Sequence, residues 1–305
     1  MNGKDFVSYG EYLCKYGIPY SEYEPMSSHT TFKIGGRARF FVTPKDDLQL
    51  LRAFNGAKNY GIKTFVIGKG SNLLFDDEGY DGAVITTLSL DTMSVNENVI
   101  SCFAGVSVTA LSRFAMENSL KGLSFAYGIP GSVGGAVYMN AGAYNGEIKD
   151  VLFRSCYLDL TDGETKVLRA QEHEFGYRYS SYKDHPERII TSAAFKLERG
   201  DREEIKAEME DFMERRRAKQ PLEYPSAGSV FKRYPGRYTA QMIDEAGLKG
   251  ACIGGAEVSV KHAGFIINKG GATCADVLKL IDLIKNTIFE KFGIEIECEV
   301  IHVKK

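Results

Sequence analysis

The sequence predicts an α+β protein with mixed sheets, and three observations support this fold class. At 305 residues the chain is longer than one compact core usually allows, so more than one packed unit is expected. Short β-rich runs are interleaved with longer runs that carry the helical period. No GxGxxG turn opens a βαβ unit, which disfavours a Rossmann domain.

The first part of the chain is expected to alternate helices and strands. After an N-terminal helix, the extended segment ARFFVTP leads to a helix from Asp46. Leu48, Leu51 and Phe54 would share one face of that helix, and Gly61 would stop it. The runs TFVIG and GAVITTL are predicted strands on either side of a glycine-rich turn.

Two hairpins and a helix are expected next. The run MSVNENVISCFAG predicts a hairpin around residues 96–98, and FRSCYLDLTDGETKVLRA predicts another that turns at Asp162-Gly163. Between them, Ser107 can cap a helix over SVTALSRFAMENSL, with Gly122 as its end.

The sequence becomes much more highly charged near Gly200, where we place a domain boundary. There the charged helix REEIKAEMEDFMERRRAKQ begins, and Pro221 forbids its continuation. Strands are predicted from Ser229 to Arg233 and over AGFIIN. A last helix carries apolar residues at helical spacing and has suitable caps at both ends: Val277, Leu280, Ile281, Ile284 and Ile288, with Thr273, Asp276 and Gly293.

Composition narrows the possible partners. A net charge of −2 argues against nucleic acid, and the basic run 215–219 follows many glutamates, as on a solvated helix face. The N-terminal segment lacks a signal peptide's apolar core, and no stretch of eighteen apolar residues occurs, so we expect a cytoplasmic protein without a membrane anchor. The six cysteines show no metal-ligand spacing; we expect reduced, mostly buried thiols and no metal. Nothing indicates an obligatory protein partner.

Two glycine-rich segments indicate ligand binding. Gly68-Lys69-Gly70-Ser71-Asn72-Leu73 follows a predicted strand, where successive amides can hold a diphosphate. By itself this GxGS turn also fits a plain tight turn. The second segment, GIPGSVGGAVYMNAGA over residues 128–143, consists mostly of small residues; these permit close packing, but packing requires neither Ser132 nor Asn140. Together the two segments favour one elongated ligand.

Long motifs in the right order resemble one family. TTFKIGGRARFFVTP, VIGKGSNLLFDDEGYDGAVI and GLSFAYGIPGSVGGAVYMNAGAYNGEI resemble the FAD-binding half of UDP-N-acetylenolpyruvoylglucosamine reductases of the MurB type. PSAGSVFK, AGLKGACIGGAEVSVKHAGFIIN and EIECEV resemble the family's substrate domain. The resemblance spans roughly residues 25–300 and is far more specific than any single motif.

The resemblance implies a fold, a cofactor and its contacts. It implies an FAD-binding domain of the PCMH/vanillyl-alcohol-oxidase type over residues 1–200, with subdomains 1–103 and 104–200, and an α+β substrate-binding domain over 201–305. FAD would be non-covalent, NADPH the hydride donor and UDP-N-acetylglucosamine enolpyruvate the substrate. The residues implied in FAD binding are Gly68, Lys69, Gly70, Ser71, Asn72, Leu73, Ile129, Pro130, Gly131, Ser132, Gly134, Gly135, Ala141, Gly142 and Ile148.

Three residues align with the family's catalytic set and are expected to converge over the flavin. Arg178 would stabilise negative charge, and Ser229 would donate a proton to the intermediate. Glu299 is the third. In a strand, Glu297 would share its face, so the pattern leaves both carboxylates open and only the resemblance selects Glu299.

Contacts to the sugar nucleotide are implied for Tyr177, Lys219, Lys232 and His262, although Lys219 could be solvated and His262 could be a polar lid residue. The family's closing motif usually has proline and arginine where this chain has Cys298 and Ile301. The short segment after Arg178 leaves no room for a tyrosine-bearing loop, so the chain resembles the shorter branch of the family.

Two rival functions remain open at this stage. The first is a different flavoenzyme on the same scaffold, such as an alcohol or hydroxy-acid oxidase, because fold does not determine function. The second is a non-catalytic module that binds flavin or a UDP-sugar. The motifs PSAGSVFK and ECEV favour the reductase over the oxidase.

Overall fold

The computed structural model describes residues 8–305. Within that range the helices are α1 (Tyr9–Lys15), α2 (Asp47–Asn59), α3 (Val108–Glu117), α4 (Val133–Tyr138), α5 (Arg202–Lys219), α6 (Thr239–Glu245) and α7 (Cys274–Phe292). The strands are β1 (Tyr20–Pro25), β2 (Arg37–Val42), β3 (Thr64–Ile67), β4 (Leu73–Phe75), β5 (Tyr80–Thr86), β6 (Met93–Asn96), β7 (Val99–Phe103), β8 (Leu120–Lys121), β9 (Gly142–Ala143), β10 (Gly146–Glu147), β11 (Leu152–Asp159), β12 (Thr165–Arg169), β13 (Arg188–Lys196), β14 (Glu198–Arg199), β15 (Ser226–Ser229), β16 (Cys252–Ile253), β17 (Ala256–Val258), β18 (Phe265–Asn268) and β19 (Ile301–Val303).

The chain divides into two compact units. Of the described residues, unit 1 comprises 8–22, Phe40–Lys69 and Gly82–Glu214, and unit 2 comprises Tyr23–Arg39, Gly70–Asp81 and Arg215–Lys305. The functional division at 200/201 stays a prediction. The boundary between the compact units lies at 214/215, inside α5. Unit 2 also contains two segments from the first part of the chain, Tyr23–Arg39 and Gly70–Asp81, which no local change in composition marks.

Unit 1 contains an antiparallel five-stranded sheet in the order β12-β11-β13-β7-β6. A four-stranded sheet has the order β1-β2-β5-β3, in which β3 and β5 are parallel. Both predicted hairpins are confirmed, and Gly163 takes the positive φ of +79° that its turn needs. Both antiparallel and parallel strand pairs therefore occur among the sheets, as expected.

Two helix predictions in unit 1 need correction. The buried face of α2 includes Phe54, as expected, together with Leu50, Ala53 and Ala57, but Leu48 is 54% exposed and lies off that face. Helix α3 ends at Glu117 and not at Gly122. Its C-cap is Asn118, whose side-chain amide donates to the carbonyl of Phe114 at 2.8 Å and terminates the helix early.

Unit 2 is built on α7 and a four-stranded antiparallel sheet in the order β15-β18-β17-β16. The predicted start of α7 is confirmed as a capping box between Thr273 and Asp276, and Gly293 caps its end at φ +66°. The five predicted apolar residues of α7 are all buried. Strand β19 pairs in parallel with β4, with Ile301 opposite Leu73.

Three further expectations are wrong in detail. The predicted strand from Ser229 to Arg233 lies earlier, at Ser226–Ser229. Of the six cysteines, all free, only Cys102 and Cys274 are buried, so the thiols are not mostly buried. The basic run at the end of α5 is not wholly solvated, because Arg216 is 7% exposed and donates to Gln220. Among the described helices none is long and apolar enough to span a membrane.

Candidate functional site

In unit 1, Gly68 and Ser132 bring the two predicted cofactor segments into contact. A Cβ atom at Gly68 would lie 2.0 Å from Ser132 Oγ, so a larger residue there would displace the Ser132 hydroxyl. Ser132 is buried, and its hydroxyl has no hydrogen-bond partner among the described residues. A buried hydroxyl without a partner costs roughly 1–3 kcal/mol, which a polar group of a ligand would offset. These residues therefore fit an elongated polar cofactor such as FAD.

The rest of the second segment divides into packing and exposed positions. The backbone of Gly131 accepts from Val108, and Gly134 donates to Ala104 at 2.8 Å. A Cβ at Gly134 would lie 3.0 Å from that of Ala104, so Gly134 serves close packing. Pro130 and Gly135 are exposed, and Ile129 is half-buried.

Three further predicted cofactor residues are joined by backbone hydrogen bonds. Ala141 donates to the carbonyl of Ala136 at 2.8 Å, and the buried Ile148 donates to Ala141 at 3.0 Å. Gly142 lies in the short strand β9, where a Cβ would meet the Gly146 carbonyl at 2.7 Å. The structure thus assembles Ala141, Gly142 and Ile148 in one place.

In unit 2, Gly70 is forced to be glycine by its backbone conformation and by its surroundings. Its φ is +61°, and a Cβ would lie 2.2 Å from the carbonyl oxygen of His29. The Gly70 carbonyl also accepts from the amide of Thr31. Within unit 1, Lys69 is exposed. In unit 2, Ser71 and Asn72 are half-buried and Leu73 begins β4 in the core.

Asn72 links the first glycine-rich segment to the candidate catalytic glutamate. Its side-chain amide donates to the backbone carbonyl of Glu299 at 3.0 Å. The Glu299 amide donates in turn to the carbonyl of Val230, the residue after Ser229, at 2.7 Å. Unit 2 therefore joins the backbone of Glu299 to Asn72 and to the residue after Ser229 by two hydrogen bonds that sequence patterns do not reveal.

Ser229 lies at the end of an irregular strand. From Ser226 to Ser229 the chain advances three residues while the partner strand advances two, from Ile267 to Phe265, which is a β-bulge. Gly228 supplies the positive φ of +75° within it. A bulge turns the following side chain away from its regular direction, and such bulges are frequent beside active sites.

The premise that Glu297 and Glu299 share a strand face is wrong, because neither lies in a regular strand. Glu297 forms an ion pair with Lys232, with 2.7 Å between Oε2 and Nζ, and its side chain is mostly exposed. Lys232 lowers the pKa of Glu297 by this hydrogen bond. The half-buried Glu299 is held instead by Asn72 and Val230.

Arg178 occupies a two-residue turn with Tyr177. Gly176 and Tyr179 pair across the turn by reciprocal backbone hydrogen bonds of 3.1 and 3.2 Å. Arg178 has a φ of +54°, a conformation that usually selects glycine at this place in a turn and that costs about 1 kcal/mol or more for other residues. Its guanidinium donates to the carbonyl of Gly142 at 3.4 Å and lies 5.0 Å from the ring centre of Tyr177.

Buried side chains hold the Arg178 turn in place. Asn140, wholly buried, donates to the carbonyl of Gly176 at 2.9 Å, and Ser180 donates to that of Tyr138 at 2.8 Å. The turn is thereby fastened on both sides of Arg178. Non-glycine residues at positive φ persist only where such contacts over-determine the backbone.

A buried polar network fastens the segment that leads to the turn. Ser155 Oγ lies 2.7 Å from both His173 Nε2 and the Tyr182 hydroxyl, and His173 Nδ1 lies 2.8 Å from the carbonyl of Arg169. Burial lowers the pKa of His173, so the ring is neutral near pH 7. His173 also stacks on Phe175 at 4.8 Å. Its members lie far enough apart in sequence that no local pattern marks this network.

The two remaining predicted substrate residues occupy different surroundings. His262 is half-buried; its Nδ1 accepts from the amide of Gly264, its ring packs edge-on to Phe265, and burial lowers its pKa. Lys219 is the exposed last residue of α5. Neither is joined to Ser229 or Glu299 by a hydrogen bond between the described residues.

A shallow cavity of about 270 Å³ lies on a face of the five-stranded sheet in unit 1, away from these residues. Its lining includes Phe103, Arg154 and Cys156, and no predicted site residue borders it. The candidate site is therefore defined by its hydrogen bonds and close backbone approaches.

Comparisons with known proteins identify the family of this chain. A family described as FAD binding domain matches residues 38–170, and one described as UDP-N-acetylenolpyruvoylglucosamine reductase, C-terminal domain, matches residues 220–303. A UDP-N-acetylenolpyruvoylglucosamine reductase of Caldicellulosiruptor bescii is 48% identical over 95% of this chain and 92% of that relative. One of Geobacillus kaustophilus is 46% identical over 91% of this chain and 90% of its own length.

The fold is shared with a solved structure, UDP-N-acetylenolpyruvylglucosamine reductase (MurB) from Thermus caldophilus. The two superpose with a TM-score of 0.80 and 34% identity, over 93% of this chain and 98% of the other. These matches confirm the predicted α+β fold class with an FAD-binding domain followed by the reductase's C-terminal domain. The chain therefore belongs to the UDP-N-acetylenolpyruvoylglucosamine reductase family.

Proposed function

We propose that this protein reduces UDP-N-acetylglucosamine enolpyruvate to UDP-N-acetylmuramate for peptidoglycan synthesis, with non-covalent FAD and with NADPH as hydride donor. One observation carries the proposal beyond family membership. Asn72 of the first glycine-rich segment is hydrogen-bonded to Glu299, and Glu299 to the residue after Ser229. A segment suited to a cofactor diphosphate is thus joined to the proposed proton donor and carboxylate.

The proposed cofactor contacts are the glycine-rich segments. Backbone amides of residues 68–73 would hold the diphosphate, since a side chain at Gly70 is excluded by close backbone contacts and one at Gly68 would displace the Ser132 hydroxyl. Ser132 would donate from its otherwise unsatisfied hydroxyl. FAD, when bound, would supply the hydride chemistry: it would take a hydride from NADPH and pass it to the methylene carbon of the enolpyruvyl group.

Hydride addition at that carbon determines what the side chains have to do. Negative charge accumulates on the neighbouring carbon and in the carboxylate of the substrate. Arg178, held by Asn140 and Ser180, would stabilise that charge with a permanently positive guanidinium. Ser229 would deliver its hydroxyl proton to the neighbouring carbon, and Glu299 would lie beside the reacting carboxylate region. The convergence of Arg178 with Ser229 and Glu299 is part of the proposal.

The sugar nucleotide would be held by Tyr177, Lys219, Lys232 and His262. Lys232 already pairs with the exposed Glu297, so an incoming diphosphate has to compete with that carboxylate. His262 is expected to act as a neutral hydrogen-bonding group, since burial lowers its pKa. We also propose a cytoplasmic location, in keeping with six free cysteines.

Anaerobic stopped-flow absorbance of the flavin tests the proposal. NADPH should bleach the flavin, and the enolpyruvyl sugar nucleotide should restore its colour. Ser229→Ala should slow restoration far more than bleaching, whereas Ser226→Ala, on the same strand β15, should change neither rate appreciably. A flavin that NADPH reduces but the sugar nucleotide never reoxidises would rule out the reductase and favour an oxidase. A protein that NADPH cannot reduce would be a binding module.

A further inference from the structure

Asp76, Cys274 and His302 form a cluster of metal-ligand side chains in unit 2. Among the described residues, their ligand atoms all lie within 4.8 Å of one another. They come from three distant parts of the chain: the residue after β4, the first residue of α7 and the middle of β19. Sequence spacing therefore could not reveal them. None has a part in the proposed reduction.

The distance from His302 to Cys274 matches one edge of a tetrahedral zinc site, and the distance from His302 to Asp76 is somewhat longer than another. His302 Nε2 lies 3.5 Å from Cys274 Sγ and 3.9 Å from Asp76 Oδ2. Zinc with bonds of about 2.3 Å to sulfur and about 2.0 Å to nitrogen places those two atoms about 3.5 Å apart. The carboxylate has to approach by about half an ångström, and as a partly exposed group it can rotate to do so.

The charges and the fixed backbone favour the same ion. A thiolate, a carboxylate and a neutral imidazole balance the two positive charges of zinc, and the thiolate and imidazole suit zinc better than magnesium or calcium. The Asp76 amide donates to Val303 at 3.0 Å, and its carbonyl accepts from Gly36 at 2.9 Å. Cys274 is fixed at the capped start of α7.

The carboxylate of Asp77 fixes the backbone at the proposed cysteine ligand, Cys274. The side chain of Asp77, the residue after Asp76, accepts from the backbone amides of Cys274 and Ala275 at 2.7 and 2.9 Å. These bonds hold the first turn of α7 next to Asp76. Supporting hydrogen bonds of this kind orient the ligands of metal sites. Cys274 itself is only 1% exposed, which disfavours a role as an accessible nucleophile.

We propose that Asp76, Cys274 and His302 bind a zinc ion, with water as the fourth ligand. On binding, the zinc–sulfur bond forms as the thiol proton leaves for solvent. The ion joins α7 to the parallel pair β4–β19. Asn72, which precedes β4, accepts from Ile301 of β19 and donates to Glu299. The zinc ion would thus stabilise the strand pair next to the candidate catalytic carboxylate.

Zinc retention by the purified full-length flavoprotein tests this inference. The protein is stripped with a chelator, mixed with zinc chloride and gel-filtered, and its zinc is then measured with a chromogenic chelator. Wild type should retain about one zinc per chain. Cys274→Ser and His302→Gln should each weaken zinc binding at least tenfold. At a hundredfold excess over the dissociation constant, zinc should raise the Tm of wild type by about 5 °C.

The matched control is Cys252→Ser. Cys252 is also a thiol beside a carboxylate, 3.3 Å from Glu257, but it has no histidine partner among the described residues, so its replacement should leave zinc retention unchanged. If Cys274→Ser fails to fold, the partly exposed His302→Gln still decides the question. The inference would be overturned if none of the four proteins retained zinc, if all four retained equal amounts, or if Cys252→Ser alone lost its zinc.

Discussion

Replacing Gly70 by alanine tests whether the first glycine-rich segment has to approach another backbone closely. The methyl group would lie 2.2 Å from the carbonyl oxygen of His29 and 3.0 Å from the Cα atom of Thr30. Both are backbone atoms, so no side-chain rotation relieves the clash. The residue also has a φ of +61°, which an alanine adopts only with strain.

Gly61→Ala is the matched control. Gly61 has a φ of +64°, nearly that of Gly70, but a Cβ there would meet nothing within 4 Å. Both replacements cost about 1–2 kcal/mol for the left-handed backbone, and both reduce the freedom of the unfolded chain equally. Only Gly70→Ala adds the clash, which overpacking data put at about 1–3 kcal/mol.

The added cost should appear mainly as weaker FAD binding. The backbone of residues 68–73 can escape the clash only by moving, and it then carries its amides away from the proposed diphosphate. A penalty of about 1–3 kcal/mol corresponds to a roughly 5- to 150-fold higher FAD dissociation constant than in Gly61→Ala. Quenching of FAD fluorescence gives the constant, and the Tm from circular dichroism separates it from global instability. Equal dissociation constants and equal Tm values in the two variants would refute the reasoning.

Three further predictions concern the hydrogen-bonded side chains. Asn72→Leu, which removes the donor to Glu299, should slow flavin reoxidation more than reduction in stopped flow; equal slowing would contradict this. The unfolding free energy of wild type should fall as pH drops below about 6.5, because His173 then takes up a proton in the unfolded chain but not in the folded one, where burial lowers its pKa. His173→Gln should reduce this pH dependence in denaturant titrations at pH 5–8. Lys232→Met should raise the pKa of Glu297 and the KM for the sugar nucleotide with little change in Tm, and an unaltered KM would exclude Lys232 from substrate binding.

Locally determined features could be predicted from sequence. The start of α7 depends on a reciprocal pair of side chains three residues apart, Thr273 and Asp276, and the turn at Gly163 depends on its own positive φ. Both are visible in a few consecutive letters. The end of α3 was missed although it is local, because the amide side chain of Asn118 ends the helix before the glycine does.

Features that depend on distant partners could not be predicted in this way. Glu297 and Glu299 differ in their surroundings because Lys232 pairs with the side chain of Glu297, whereas Asn72 donates to the backbone of Glu299. Both partners lie far away in sequence. The early position of β15 follows from its pairing across a bulge with β18. Family resemblance selected Glu299 and Ser229 without a physical reason for either, and their catalytic roles stay predictions; in unit 2 the Glu299 amide donates to the carbonyl of the residue after Ser229.

All three proposed catalytic residues lie where the backbone is irregular. Arg178 has a positive φ, Ser229 ends a bulge that Gly228 makes possible, and Glu299 precedes β19 outside any regular strand. Periodicity describes only regular structure, so a search for helical or alternating patterns passes over such positions. The positive φ of Arg178 costs about 1–3 kcal/mol and survives because nearby groups, Asn140 among them, hold the turn. It follows that replacing these holding groups should impair catalysis almost as much as replacing the residues that react, while leaving the bulk of the fold intact.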